Sequence, residues 1–205
     1  MRMYSWDGLQ PAMLKRDGPV SAAFVQAGLV DFRSAGRWVC SIPYGRNSDP
    51  SGRLVVLNEG YGTCSTKHAL IRQLAIEQEL NVALAVGVYE MTGRNTPGVG
   101  IVLEKYGLEA LPEAHCYLRI GQKRVDLTRI SDQSRPETSY SFLHEEDIEP
   151  RQIGIYKIDL HKRFMSSWMS RRKTGEYNLD ELWQIREECI ASLSEDHSQR
   201  TPGPA

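Results

Sequence analysis

A chain of 205 residues, with a formal net charge of −1, 40% apolar and 25% charged residues, is long enough to bury a core without disulfides or metals. Its near-neutral balance gives no bulk electrostatic reason to expect nucleic acid or an anionic membrane as a partner. Cys40, Cys64, Cys116 and Cys189 are too scattered for a disulfide framework, and neither a leader-like segment at "MRMYSWDGLQ" nor a membrane-length apolar run is present, so the reading is a cytoplasmic protein with reduced thiols.

Taken in chain order, "PVSAAFVQAGLVDF" (19–32) carries Phe24, Val25, Leu29 and Phe32 at helical spacing and predicts an amphipathic helix. "WVCSIPYGRNSDPSG" leads into a loop rich in Gly, Pro, Asn and Ser. After the short apolar run of "RLVVLNEGYG", Thr63 is placed to N-cap a helix whose apolar side holds Leu70, Ile71, Leu74 and Ala75. "NVALAVGVYEM" is almost continuously apolar and reads as a strand buried on both faces. "GVGIVLEKYG" reads as a short helix closed by Gly107. "AHCYLRIGQKRVDLT" reads as a hairpin about Gly121-Gln122, and "RQIGIYKIDL" (151–160) as a further strand. The basic run Arg171-Arg172-Lys173 reads as a solvated helix end. "NLDELWQIREECIASL" predicts a terminal helix with an Asn178/Glu181 capping pair. The organisation expected is one α+β domain over 1–195 and a disordered tail over 196–205.

One stretch carries chemistry. In "GTCSTKHALI", Cys64 falls on the first turn of the helix. Unpaired amides and the positive end of the helix dipole favour a thiolate there and could donate to an oxyanion. Gly60 and Gly62 would let a substrate approach the backbone. A two-residue turn pairs Ile120 with Lys123 and Tyr117 with Asp126, so His115 and Asp126 become diagonal neighbours on one face. The expectation is that the far ring nitrogen of His115 meets sulfur while Asp126 holds the near one.

Other groupings are weaker. His68 shares a helix face with Cys64, but no carboxylate is placed to orient it, and it reads as a half-buried structural residue. His115 and Cys116 alternate along a strand and do not converge on a zinc ion. His144 and His161 lie among charges and read as surface groups; Cys40 and Cys189 read as core packing. No C-x-x-C pair supports a redox role.

A nucleophile at a helix start, then a strand histidine, then an aspartate on the next strand resembles the transglutaminase-like superfamily of papain-like cysteine enzymes. The resemblance runs from about Gly60 to Thr128. It implies a catalytic helix packed on a small antiparallel sheet, with Cys64 as nucleophile, His115 as general base and acid, and Asp126 as the orienting acid. The aromatic residue that often follows the family's histidine is Cys116 here, with Tyr117 one further on. Tyr44 and Asn47, in the loop before the nucleophile, are the candidates for a side-chain oxyanion donor. The implied activity is hydrolysis or acyl transfer at an amide of a peptide, protein or small molecule through a thioester, with no metal or organic cofactor. The alternative is a silent domain of the same kind that binds a protein or peptide.

Overall fold

The computed structural model describes residues 3–130, 141–172 and 177–198. Helices α1 (Pro19–Gln26), α2 (Phe32–Ser41), α3 (Val55–Glu59) and α4 (Cys64–Glu77) come first, after the two-residue strand β1 (Met3–Tyr4). Strand β2 (Ala83–Met91), helix α5 (Gly100–Lys105), and strands β3 (Leu111–Ile120), β4 (Lys123–Val125) and β5 (Phe142–Ile148) form the middle. Two long helices, α6 (Ile155–Arg172) and α7 (Leu179–Ser198), complete it. The sheet runs β1-β4-β3-β2-β5; β1 is parallel to β4 and the other pairings are antiparallel. This is a mixed α+β fold.

The expected helix over 19–32 is two elements. Gly28, at φ 81, closes α1, and Asp31 starts α2 by accepting the amide of Ser34 at 2.9 Å. The buried residues of α2 are Phe32, Ala35, Gly36, Val39 and Cys40, a stripe with the period of a helix. The 151–160 strand is overturned. Pro150–Gln152 forms a 3-10 turn and α6 begins at Ile155. Its core face is Lys157, Leu160, His161, Met165 and Trp168, again at helical spacing. Two of those five are polar, whereas Ile155 and Ile158 are exposed, so the apolar letters pointed to the wrong period.

Strand β2 lies between β3 and the edge strand β5 and is buried along most of its length. Its register with β3 pairs Gly87 with His115 and Ala85 with Tyr117. The hairpin has the anticipated register, Ile120 opposite Lys123 and Leu118 opposite Val125, with Gly121 at φ 56 in the turn. The return strand is short and ends at Val125. The edge strand β5 had no counterpart in the sequence reading, because "FLHEEDI" is mostly charged. Its carboxylates are paired by neighbours: Glu145 with Tyr117 and Arg124, Asp147 with Arg119. Gly87 on the intervening strand leaves room for the Phe142 ring, which stacks on Tyr117.

One apolar cluster gathers α1, α2 and α4, with Leu160 of α6, against β2 and β3; a second gathers α5, α7 and Met165 and Trp168 of α6 against Tyr89, Met91 and Leu111. Strands β2 and β3 contribute to both. No helix among the described residues is long and apolar enough to cross a membrane. Of the segment 196–205, residues 196–198 belong to α7 and 199–205 lie outside the described residues; so does Lys173.

Candidate active site

The N-terminus of α4 is built by a reciprocal cap. The Thr63 hydroxyl accepts the amide of Thr66 at 3.3 Å, and the Thr66 hydroxyl accepts the amide of Thr63 at 2.9 Å. Cys64 is therefore the first helical residue. Gly62 is needed for packing. A Cβ there would lie 2.9 Å from the Thr66 hydroxyl and 3.1 Å from Val56. Gly60, at φ 73, closes α3. At Gly60 nothing lies within 4 Å of where a Cβ would sit, whereas Gly62 packs against Thr66, Lys67 and Val56.

Where β4 stops, β3 has a free edge, and the start of α4 meets it. The backbone N–H of Cys116 donates to the Cys64 sulfur, and the sulfur and the His115 ring are also hydrogen-bonded. Nε2 of His115 lies 2.9 Å from Oδ2 of Asp126. The ring nitrogen left for sulfur is then Nδ1, the reverse of the orientation expected. Asp126 has left the ladder, and its Oδ1 accepts the amide of Thr128 at 2.8 Å.

Electrostatics define the protonation states. Burial alone would push the Cys64 thiol up. The Lys157 ammonium, the His115 charge, the His115 hydrogen bond and the Cys116 amide outweigh burial and bring it down to about 6. Burial would lower His115, but Asp126 first and Cys64 next hold it well above its ordinary value. Burial likewise opposes the charge on Asp126, and His115 keeps that carboxyl well below the usual range. The pair at neutral pH is thiolate and imidazolium.

Two buried residues clamp this arrangement. His68 is fully buried, not half-buried. Its Nε2 accepts the amide of Leu127 at 2.7 Å and its Nδ1 donates to the carbonyl of Cys64 at 2.6 Å. The bond accepted by Nε2 requires the neutral ring, and burial pushes it down to about 4. Lys67 donates to the carbonyls of Ile42 at 2.7 Å and Thr128 at 2.8 Å. Together they fasten the first turns of α4 to the segment that carries Asp126.

The oxyanion candidates separate. Both N–H bonds of the Asn47 amide are engaged, to Glu59 at 2.9 Å and to the carbonyl of Tyr61 at 2.8 Å, while its oxygen accepts from Thr66. Asn47 ties the loop to α4 and has no donor left. Tyr44 pairs with Gly62 in a parallel bridge; burial and then the Cys64 charge raise its phenol above its ordinary value, so its side chain is a neutral O–H.

His161 is a second correction, for it is buried and its Nε2 donates to the carbonyl of Pro112 at 2.7 Å. His144 is half-buried, 3.0 Å from Glu146. Cys40 and Cys189 are buried among apolar neighbours. Sequence reasoning missed Lys157, whose Nζ donates to the Ser65 hydroxyl at 2.8 Å, and the buried ion pair of Glu113 with Arg186, joined by two bonds of 2.7 Å. A lysine at the centre of a segment read as a strand gave no signal of burial.

Fold and site together define an α+β chain with a cysteine, histidine and aspartate joined at the start of a helix. Compared with family models, curated proteins and solved structures, the chain matches none of them.

Proposed function

We propose that the protein is a cysteine-dependent acyl hydrolase or acyl transferase of the transglutaminase-like kind, acting on an amide or peptide bond through a thioester on Cys64. The observation that carries this reading is the continuous contact from the Cys64 sulfur through the His115 ring to Asp126, at the first residue of a 14-residue helix. The thiolate attacks the acyl carbonyl. The first-turn amides of α4 and the Tyr44 hydroxyl are the groups available to stabilise the oxyanion. The imidazolium of His115 gives its proton to the leaving amine, and Asp126 stabilises the charged ring beforehand. Water or a second amine then resolves the thioester with His115 as base.

A second reading, a silent domain that binds a peptide, is favoured by one observation. Cys64 and His115 are each only 7% exposed, and two cavities of about 560 and 500 Å³ are lined by other residues. The two readings part on a substitution test with small activated esters and amides. An enzyme turns them over, and His115→Ala lowers turnover by about 10²–10⁴-fold. No turnover in the folded wild-type protein, or equal rates in the variant, favours the binding domain.

A further inference from the structure

We propose that Lys157 is the permanent counter-ion of the Cys64 sulfur, holding it as a thiolate whether or not His115 is charged. This rests on the reading of Cys64 as nucleophile. Lys157 comes from α6, is only 8% exposed, and reaches the start of α4. Its Nζ donates to the Ser65 hydroxyl at 2.8 Å, and that hydroxyl lies 3.9 Å from the Cys64 sulfur.

A buried ammonium needs an anion. The charged and titratable groups around this one come from every element packed on it. Glu113 of β3 is already matched by the two-pronged bond from Arg186 of α7. Asp126 is matched by His115. His161, on the same helix, is a neutral ring kept below its ordinary value by burial. Cys116 is a thiol raised by burial. Tyr44 is raised by burial, and Lys67 of α4 is a further cation that bonds carbonyls. With His115 shared between Asp126 and Cys64, the Cys64 sulfur is the acidic group left for the Lys157 ammonium. Lys157 is in turn raised above its ordinary value against burial, by Cys64 before any other neighbour.

In an isolated cysteine–histidine pair the thiolate exists because the imidazole has taken its proton. A fixed ammonium changes that dependence. Lys157 acts through sulfur and so is a positioning residue. Its role differs from packing because it sets a titration.

The test is site-resolved iodoacetamide labelling of Cys64 against pH, with folding checked by circular dichroism. In the wild-type protein labelling rises with a midpoint near 6. Lys157→Met moves the midpoint up by a unit or more, which slows labelling at low pH about tenfold. In His115→Ala the midpoint stays below that of a free thiol, about 8.5. In the double variant it rises to that value or above. Should Lys157→Met fail to fold, Lys157→Gln keeps a donor for Ser65 without the charge and makes the same prediction. A wild-type midpoint in the Lys157 variant, with the wild-type protein itself low, overturns the counter-ion and leaves the nucleophile standing. A wild-type protein whose Cys64 titrates as a free thiol overturns both.

Discussion

His68 lies one turn from the sulfur, yet the hydrogen bonds assign it a different part from His115. It accepts from Leu127 and donates to the Cys64 carbonyl, so both ring nitrogens are occupied and neither is free to move a proton. Its work is to fix the distance between Cys64 and the segment bearing Asp126. His68→Ala leaves the Leu127 amide without that acceptor in a buried site, and should cost at least about 2 kcal/mol, measured by denaturant unfolding. His68→Gln keeps an acceptor in reach and should recover part of the loss. A variant as stable as wild type would contradict the clamp. Asp126→Asn addresses the neighbouring contact. It keeps the shape but removes the charge that raises His115, so turnover should fall by about 10²–10⁴-fold with the circular dichroism spectrum unchanged. The Cys64, His115 and Asp126 grouping was legible because it rests on two simple periodicities, a helix start and an even-numbered hairpin turn. The ring orientation was not, since Asp126 leaves the strand and meets Nε2. Asn47 misled because a free-looking loop amide is consumed by Glu59 and Tyr61.

At the scale of elements, α4 is the one whose start must be accurate. Thr63 caps it, and Thr66 returns the bond. Thr63→Ala should cost about 1 kcal/mol, and it should also slow Cys64 alkylation, because the amides around sulfur fray with the cap. A stability loss with an unchanged labelling rate would separate the cap from the chemistry. This helix, β2, the β3 turn and α7 were readable from apolar period, caps and glycine, and they agree with the structure in position. The failures at α6 and β5 share one cause, whereas the helix over 19–32 was divided by local signals, Gly28 and the Asp31 cap. In α6 the core side includes Lys157 and His161, each buried because a partner waits for it, Ser65 for one and the Pro112 carbonyl for the other. In β5 the charges are satisfied by Arg119, Arg124 and Tyr117 across β2. Tertiary partners made polar letters structural, and a local window does not contain those partners.

Over the whole molecule, the buried charges set how stability varies with pH. His68 titrates near 6.5 when unfolded and at about 4 when folded. Between those values the unfolded chain binds a proton that the fold refuses, so stability declines as pH drops below about 6.5. Asp126, lowered in the fold, contributes stability above its unfolded value and loses it as pH falls toward its folded one. His115, raised, contributes stability fully present below 6.5 and lost as pH rises through its folded value. Cys64, lowered from 9.0 to about 6, contributes stability that grows as pH rises from about 6 toward 9. At neutral pH the folded pair holds one proton on the ring, and the unfolded pair holds one on sulfur. These two slopes therefore cancel. The melting temperature should rise gently from pH 7 to 8, where Lys67, lowered by burial to about 8, begins to lose its proton in the fold, and should drop below about 6.5, well before ordinary carboxylates protonate. A curve level down to pH 4.5 would contradict the buried neutral His68.

The central claim is that Cys64 carries an acyl group with His115 as its acid and base. The direct measurement is to mix the protein with a small p-nitrophenyl ester, quench early, digest, and find the acylated peptide by mass spectrometry. The account predicts one adduct, on the peptide containing Cys64, removed by hydroxylamine as a thioester is, and lost to hydrolysis at least about 100-fold more slowly in His115→Ala, where the base for deacylation is gone. An adduct on another residue, or one lost from Cys64 equally fast without His115, would contradict it.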